Sequence, residues 1–160
     1  MSEFISLAAL AGAAFTSGLM AGLFFAYACS VVPGLAATDA RTLVGAMQSI
    51  NRKILNGWFL AAFLGAPVLT ALAVALHAGD GPVLVWSAAA LVAHLVMFGV
   101  TMRVNVPLNN RLDAAGPVDR IGDLAAVRER FERPWVRWNL VRTVASAAAF
   151  AALLGALLAH

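Results

Sequence analysis

The sequence predicts an all-α membrane protein, an antiparallel four-helix transmembrane bundle with cytoplasmic helix extensions. Three observations predict it. Four windows contain no Asp, Glu, Lys or Arg: residues 4–38, 54–79, 81–102 and 143–160. Each comes close to or exceeds the roughly 20 apolar residues that cross a bilayer. All 11 Lys and Arg residues fall into only two of the segments between windows. With 62% hydrophobic and 12% charged residues in 160, there is room for one bundle and none for a separate soluble domain.

The first span covers residues 4–32. Met1-Ser2-Glu3 lacks a basic n-region and the apolar run is too long for a cleaved signal peptide, so it is read as a retained span. Ala14, Gly18, Gly22 and Ala26 form a small-residue stripe that admits a close neighbour, either within the bundle or in a homodimer. Val32-Pro33-Gly34 is expected to end the span, and the single Cys29 can form no intrachain disulfide. Residues 40–53 are amphipathic, with Leu43, Val44, Met47 and Ile50 opposite Arg41, Gln48 and Arg52. No breaker separates them from the second span (54–77). One long helix is therefore expected, carrying Gln48, Asn51, Asn56 and Trp58 through the interface. Ala78-Gly79-Asp80-Gly81-Pro82 is a tight turn into the third span, residues 82–102. Residues 106–134 form a second amphipathic cytoplasmic segment. Its stretch 118–133 is expected to form a charged amphipathic helix that pairs Arg128 with Glu132 and Glu129 with Arg133, a pattern typical of a solvated face. The fourth span covers residues 138–158.

Charge placement sets the orientation. Arg41, Arg52 and Lys53 lie between spans one and two; the other eight basic residues lie between span three and the start of span four. The connection between spans two and three has none. The positive-inside rule places both basic connections in the cytoplasm and both termini outside, in an inner (plasma) membrane. The isoelectric point near 10.0 follows from that topology, and no basic-aromatic module suggests nucleic acid as a partner.

Polar residues at membrane depth are costly unless partnered, which makes them candidate functional groups. All six asparagines (Asn51, Asn56, Asn105, Asn109, Asn110 and Asn139) fall at the cytoplasmic ends of spans two, three and four. Span three ends in Arg103-Val104-Asn105-Val106-Pro107-Leu108-Asn109-Asn110, where Asn105 and Asn109 share a helical face and Pro107 leaves the Arg103 carbonyl without its usual donor. Span four opens with Trp135, Trp138, Asn139 and Arg142 at i, i+3, i+4 and i+7. An aromatic belt with a snorkelling Arg accounts for the Trp residues, though not for Asn139 between Trp138 and Arg142. Either a polar pocket at the cytoplasmic mouth or a purely structural amide network fits this concentration of amides. His94, mid-span, shares a stripe with Thr101 and Asn105. It could join Tyr27 and Ser30 in a proton path, or be a neutral His bonded to a nearby carbonyl. Three scattered His residues and no intramembrane carboxylate give no metal-ligand set. No phosphate loop, nucleophile elbow or triad is present.

The same residues carry a resemblance. G-L-M-A-G-L-F-F-A-Y (Gly18–Tyr27) followed by V-V-P-G-L, M-Q-S-I-N-x4-N-G-W-F (Met47–Phe59), V-N-V-P-L-N-N (Val104–Asn110) and R-F-E-R-P-W-x2-W-N-x2-R (Arg130–Arg142) are similar to the bacterial DUF1772 family, grouped with the anthrone oxygenases of polyketide pathways. The resemblance covers nearly the whole chain. It implies a cofactor-independent oxidoreductase of the monooxygenase type, converting a lipophilic polycyclic phenol to a quinone with dioxygen. Trp58, Trp135 and Trp138 would then stack the rings, with Asn51 and Asn56 also lining the binding site. Asn105, Asn109 and Asn139 would donate to the oxyanion, and Arg142 or Arg103 would add charge. His94, a substrate-facing Asn or water would take the proton. The expected partners are the lipophilic aromatic substrate, dioxygen and membrane lipid, with a second copy of the chain where the span-one stripe serves a homodimer. The same pocket would also suit a non-catalytic binding protein for a quinone-like molecule or, with His94 and Arg142 carrying coupling charge, a small dimeric transporter.

The topology is directly measurable. A periplasm-active reporter fused after His160 should be active and one fused near Asp119 silent; the opposite pattern would overturn the orientation.

Overall fold

A computed structural model describes residues 2–160, all helical apart from short connections. Helix α1 (Ser2–Ala26) runs through a π-helical turn (Tyr27–Val31) into α2 (Val32–Ala36), and α3 (Ala40–Lys53) follows. Next come α4 (Gly57–Leu76) and α5 (Gly81–Val100), the latter continued by a second π turn (Thr101–Asn105) into α6 (Val106–Ala114). A 3-10 turn (Val118–Arg120) leads to α7 (Leu124–Ala159). Four of these rods are long and apolar enough to cross a membrane: Glu3–Ala36, Gly57–Leu76, Gly81–Ala114 and Leu124–Ala159. Consecutive spans are neighbours and the fourth closes against the first. The α5–α7 contact is the most extensive of the four, and the α4–α5 contact the thinnest.

Two prolines bend the rules of the helix without ending it. Pro33 and Pro107 each lie two residues beyond a π turn. A proline ring clashes with the carbonyl four residues back and has no N–H to offer it. Widening the preceding turn relieves both problems: Val32 N–H bonds Tyr27 O, and Val106 N–H bonds Thr101 O, five residues back. Span one therefore continues past Val32-Pro33-Gly34 to Ala36, and span three passes Met102 to reach Ala114. The expected single helix from residue 40 into span two is broken instead. Asn56 adopts an extended backbone and its side chain accepts from Phe59 N–H at 3.1 Å, capping a new helix at Gly57. Residues 118–133 are likewise no independent helix, since Leu124 opens the rod that becomes span four.

At the end carrying both termini the core is built from small residues: Ala9, Ala13, Ala73, Ala90, Ala149 and Ala156 around Leu10, Val83 and Leu153. Small residues let backbones approach closely, where van der Waals contact replaces a hydrophobic drive absent in lipid. The contacts are tight at Gly155, where a Cβ would stand 2.9 Å from the Trp86 ring, and at Gly18, 3.3 Å from Phe150. Gly22 meets nothing within 4 Å, and both it and Ala26 face outward. The stripe on span one thus packs within the bundle only along its first half.

The basic end is held by polar clamps. Gln48 Nε2 donates to Leu112 O at 2.8 Å and Gly116 O at 2.9 Å, tying α3 to the end of α6 where Gly116 takes a left-handed turn (φ 86°). Arg128 donates to Ala36 O (2.8 Å) and Thr38 O (2.7 Å) while pairing with Glu132 at 2.6 Å. A cation on the last carbonyls of α2 caps that helix and complements its dipole. The Arg128–Glu132 pair is therefore a clamp between spans one and four rather than a solvated face. Glu129 and Arg133 form no ion pair among the described residues. Asp39 caps α3 through Thr42 N–H at 2.7 Å, and those hydrogen bonds hold its carboxyl below the usual carboxylate range.

Leucine at Gly155 should lower the detergent thermal midpoint by the equivalent of about 1–3 kcal/mol of overpacking. Leucine at Gly22 should leave it within a degree or two. Equal losses at both positions would contradict this packing.

Candidate functional site

A cavity of about 510 Å³ opens at the basic end, between α3, α4, α5, α6 and α7, with the last turns of α1 forming its floor. Sites for small organic ligands span roughly 300–1,000 Å³. The inner wall is aromatic: Phe24 and Tyr27 from span one, Phe59 and Phe63 from α4, Phe98 from α5 and Trp135 from α7. Phe59, Phe63 and Phe98 stack in sequence, with centroids 5.3 and 5.4 Å apart.

Arg142 lies against this wall and is only 6% exposed. Its Nη2 donates to Asn139 Oδ1 at 2.9 Å, and its guanidinium carbon sits 4.4 Å over the Phe24 ring and 5.4 Å from the Trp135 ring. Its Nε is buried with no partner. No carboxylate pairs with it among the described residues. Ring faces attract a cation, each contributing about 2 kcal/mol when desolvated. They do not neutralise it, and an uncompensated buried charge is strongly destabilising. Asn139 is positioned by its own contacts: Nδ2 donates to Phe24 O at 3.3 Å, and its carbonyl accepts from Thr143 Oγ1 at 2.9 Å. The Trp135 ring is fixed by Nε1 donating to Asn109 Oδ1 at 2.8 Å and by packing on Tyr27 at 5.8 Å. Asn51 adds a second buried, unpartnered donor, Nδ2.

Of the residues singled out from sequence, Asn51, Asn109, Trp135, Asn139 and Arg142 line this cavity. Asn105 lies behind it, fully buried, donating to Trp135 O at 3.4 Å while its Oδ1 has no partner. Five others lie elsewhere. Trp58 is 91% exposed on the outside of α4 and Asn56 is spent on the helix cap. Arg103 points outward from the π turn. Trp138 is half-buried beside the cavity: at 100° per residue it stands about 65° around the helix from the mean direction of Trp135, Asn139 and Arg142. His94 is deeper in the bundle, its Nε2 2.9 Å from Ser17 Oγ and its Nδ1 3.2 Å from Ala90 O. The carbonyl can only accept, so Nδ1 carries the proton and Nε2 accepts from Ser17. Ser30 is exposed and no hydrogen bond continues from Ser17 toward Tyr27, so the imagined proton path is not formed.

The sequence reading missed the phenylalanines. Phe59 and Phe63 at i,i+4, and Phe24 one turn before Tyr27, carried that signal, yet such spacing looks like ordinary lipid-facing or core residues in any apolar span. It also missed the rim, where Arg52 pairs with Asp113 across α3 and α6 beside Asn110.

Amides, hydroxyls and a guanidinium form a donor set for an oxygen anion, and the aromatic wall suits a flat apolar body. Fold and cavity together define a four-span membrane protein with an internal, aromatic-walled cavity at its basic end. A family model described as anthrone oxygenase matches residues 56–152, more than half of the chain, and the protein belongs to that family. No curated protein and no solved structure matches the chain.

If the Arg142 charge is kept for a ligand, stability should not need it. Replacing both members of the Arg142–Asn139 pair by apolar side chains (Arg142→Met with Asn139→Leu) should leave the ligand-free thermal midpoint equal or higher, because both partners leave together. A large drop would assign the pair a structural task.

Proposed function

We propose that the protein oxidises a polycyclic phenolic substrate of the anthrone type to the corresponding quinone, using dioxygen and no cofactor. The observation that carries this reading is the buried Arg142 guanidinium, without a carboxylate partner, facing an aromatic-walled cavity. Family membership supports it.

The chemistry asks little of the protein beyond holding an anion. Loss of one proton from the methylene carbon gives a carbanion that is also an aromatic phenolate. Its oxygen would sit against Arg142 and near the amide of Asn139, with the rings along Phe24, Phe63 and Trp135. Dioxygen takes the electrons from the carbanion and forms a C–O bond, giving a hydroperoxide once a proton is returned. Elimination of water from that hydroperoxide leaves the new carbonyl. One oxygen atom ends in the quinone and the other in water, and no external reductant is consumed. Tyr27 and Asp113 are the ionisable acids in the lining, and Asp113 is engaged with Arg52 at the rim. A phenol gives up a proton rather than taking one, so the methylene proton passes to water in the cavity and the Tyr27 hydroxyl returns a proton to the peroxide anion. The cavity would face the cytoplasm and both termini the outside, as the distribution of basic residues indicates.

Purified protein given an anthrone should consume oxygen above the protein-free rate and form quinone mole for mole. Arg142→Met and Asn139→Leu should each lower turnover by about 10²–10³-fold, the usual effect of removing one oxyanion partner. Tyr27→Phe should lose turnover yet still bind the quinone product. Binding with no oxygen uptake in the parent would make the protein a non-catalytic quinone carrier or accessory subunit.

A further inference from the structure

The cavity has two rims of opposite character. Toward the connecting segments its exposed lining residues are Arg52, Asn110 and Asp113, and the Arg52–Asp113 ion pair bridges α3 to α6 across that opening. Toward the outside of the bundle the exposed lining residues are Leu55, Leu60, Leu64 and Met102, each between 41% and 68% exposed. These come from α4, its approach and the π turn of span three. No hydrogen bond or ion pair joins α4 to α5 among the described residues, and theirs is the thinnest of the four contacts between neighbouring spans.

Depth places this second rim in hydrocarbon. Trp58 projects from the first turn of α4, and an exposed Trp beside a helix cap prefers the headgroup boundary. At 1.5 Å per residue, Leu60 and Leu64 lie about 3 and 9 Å further along the helix, within the acyl region. Water has no reason to wet an opening lined by Leu and Met at that level. A lipid-dissolved polycycle does.

We infer that the gap between α4 and α5, framed by Leu60, Leu64 and Met102, is a lateral door through which the substrate passes from the bilayer into the cavity. This rests on the proposed anthrone-type substrate. Its oxygen-bearing edge reaches Arg142 while the rings slide past the cavity-lining Phe59, Phe63 and Phe98; the Phe63–Phe98 stack is an aromatic contact between α4 and α5 that parts to admit them. The π turn places Met102, a flexible side chain able to swing aside, on the α5 side of the door. On the water side, the Arg52–Asp113 pair stays closed during entry.

The test uses protein in lipid vesicles, with a dihydroxyanthraquinone dissolved in the bilayer as probe and binding followed by its visible absorbance. Leu64→Trp and Met102→Trp should each slow both association and dissociation at least tenfold, since a blocked door slows entry and exit alike. Val92→Trp, on an outward face of α5 away from the cavity, should associate at the parent rate. If a Trp variant fails to fold, Leu64→Cys in a Cys29→Ser background, blocked after folding by a bulky lipid-soluble maleimide, must give the same slowing. Parent-like association in the blocked proteins would overturn the door and leave the oxygenase reading standing. Failure of the parent to bind the probe at all would remove both.

Discussion

The basic half of this bundle is organised around one unneutralised charge. Arg142 sits in the fourth span with ring faces at 4.4 and 5.4 Å, one amide oxygen at 2.9 Å and no carboxylate. Moving a guanidinium out of water is costly, and each neighbour recovers only part of that cost. The neighbours must therefore be held in place. Asn139 is held by the Phe24 carbonyl, and Trp135 by Asn109 and Tyr27. Phe24, Tyr27 and Asn109 sit on spans one and three, so the position of the charge depends on how those two spans are bent.

That bending comes from a repeated device. Spans one and three each carry a π turn followed by a proline, and the two turns begin at Tyr27 and Thr101, both cavity-lining residues. A π turn rotates everything beyond it relative to the helix before it, so the ends of these spans are re-aimed with few hydrogen bonds lost. The polar clamps then fix the re-aimed ends. Gln48 secures the end of α6, and Arg128 the end of α2. Span two has no such extension and begins afresh at its Asn56 cap. This leaves α4 the least tied element along its α5 side.

Much of the bundle was legible in the sequence because its cause is local. Four charge-free windows of bilayer length fix four spans whatever their partners. The stacking of amides at one end was equally visible, and so was the shared face of Trp135, Asn139 and Arg142. The errors came from backbone detail. Pro33 looked like a terminator because a standard α-helix cannot take it, whereas a π turn can. Asn56 looked like one more interfacial amide, although Gly57 after it makes a cap equally sensible. Of the two readings of His94, the one bonded to a nearby carbonyl holds, while the proton path does not form; helical spacing says which face a residue occupies but not that Ser17 and Ala90 cover it. Nor does spacing along one helix show that Phe24, Phe63 and Phe98, from three different spans, meet around one space.

The chemistry of the lining explains why a site built this way lacks acidic residues near its charge. A carboxylate beside Arg142 would stabilise the empty protein, and a phenolate would then have to displace it from a low-dielectric site. Neutral amides and ring faces orient the guanidinium without cancelling it. The electrostatic free energy left unspent in the empty cavity is available to an incoming oxyanion, and it grows as charge develops on that oxygen. In the proposed reaction, placing this arrangement beside hydrocarbon would limit competition from water at the guanidinium and would supply both a lipid-dissolved polycycle and dioxygen. A buried arginine without a counterion is thus unfavourable for the resting bundle and favourable for a reaction whose transition state is an anion.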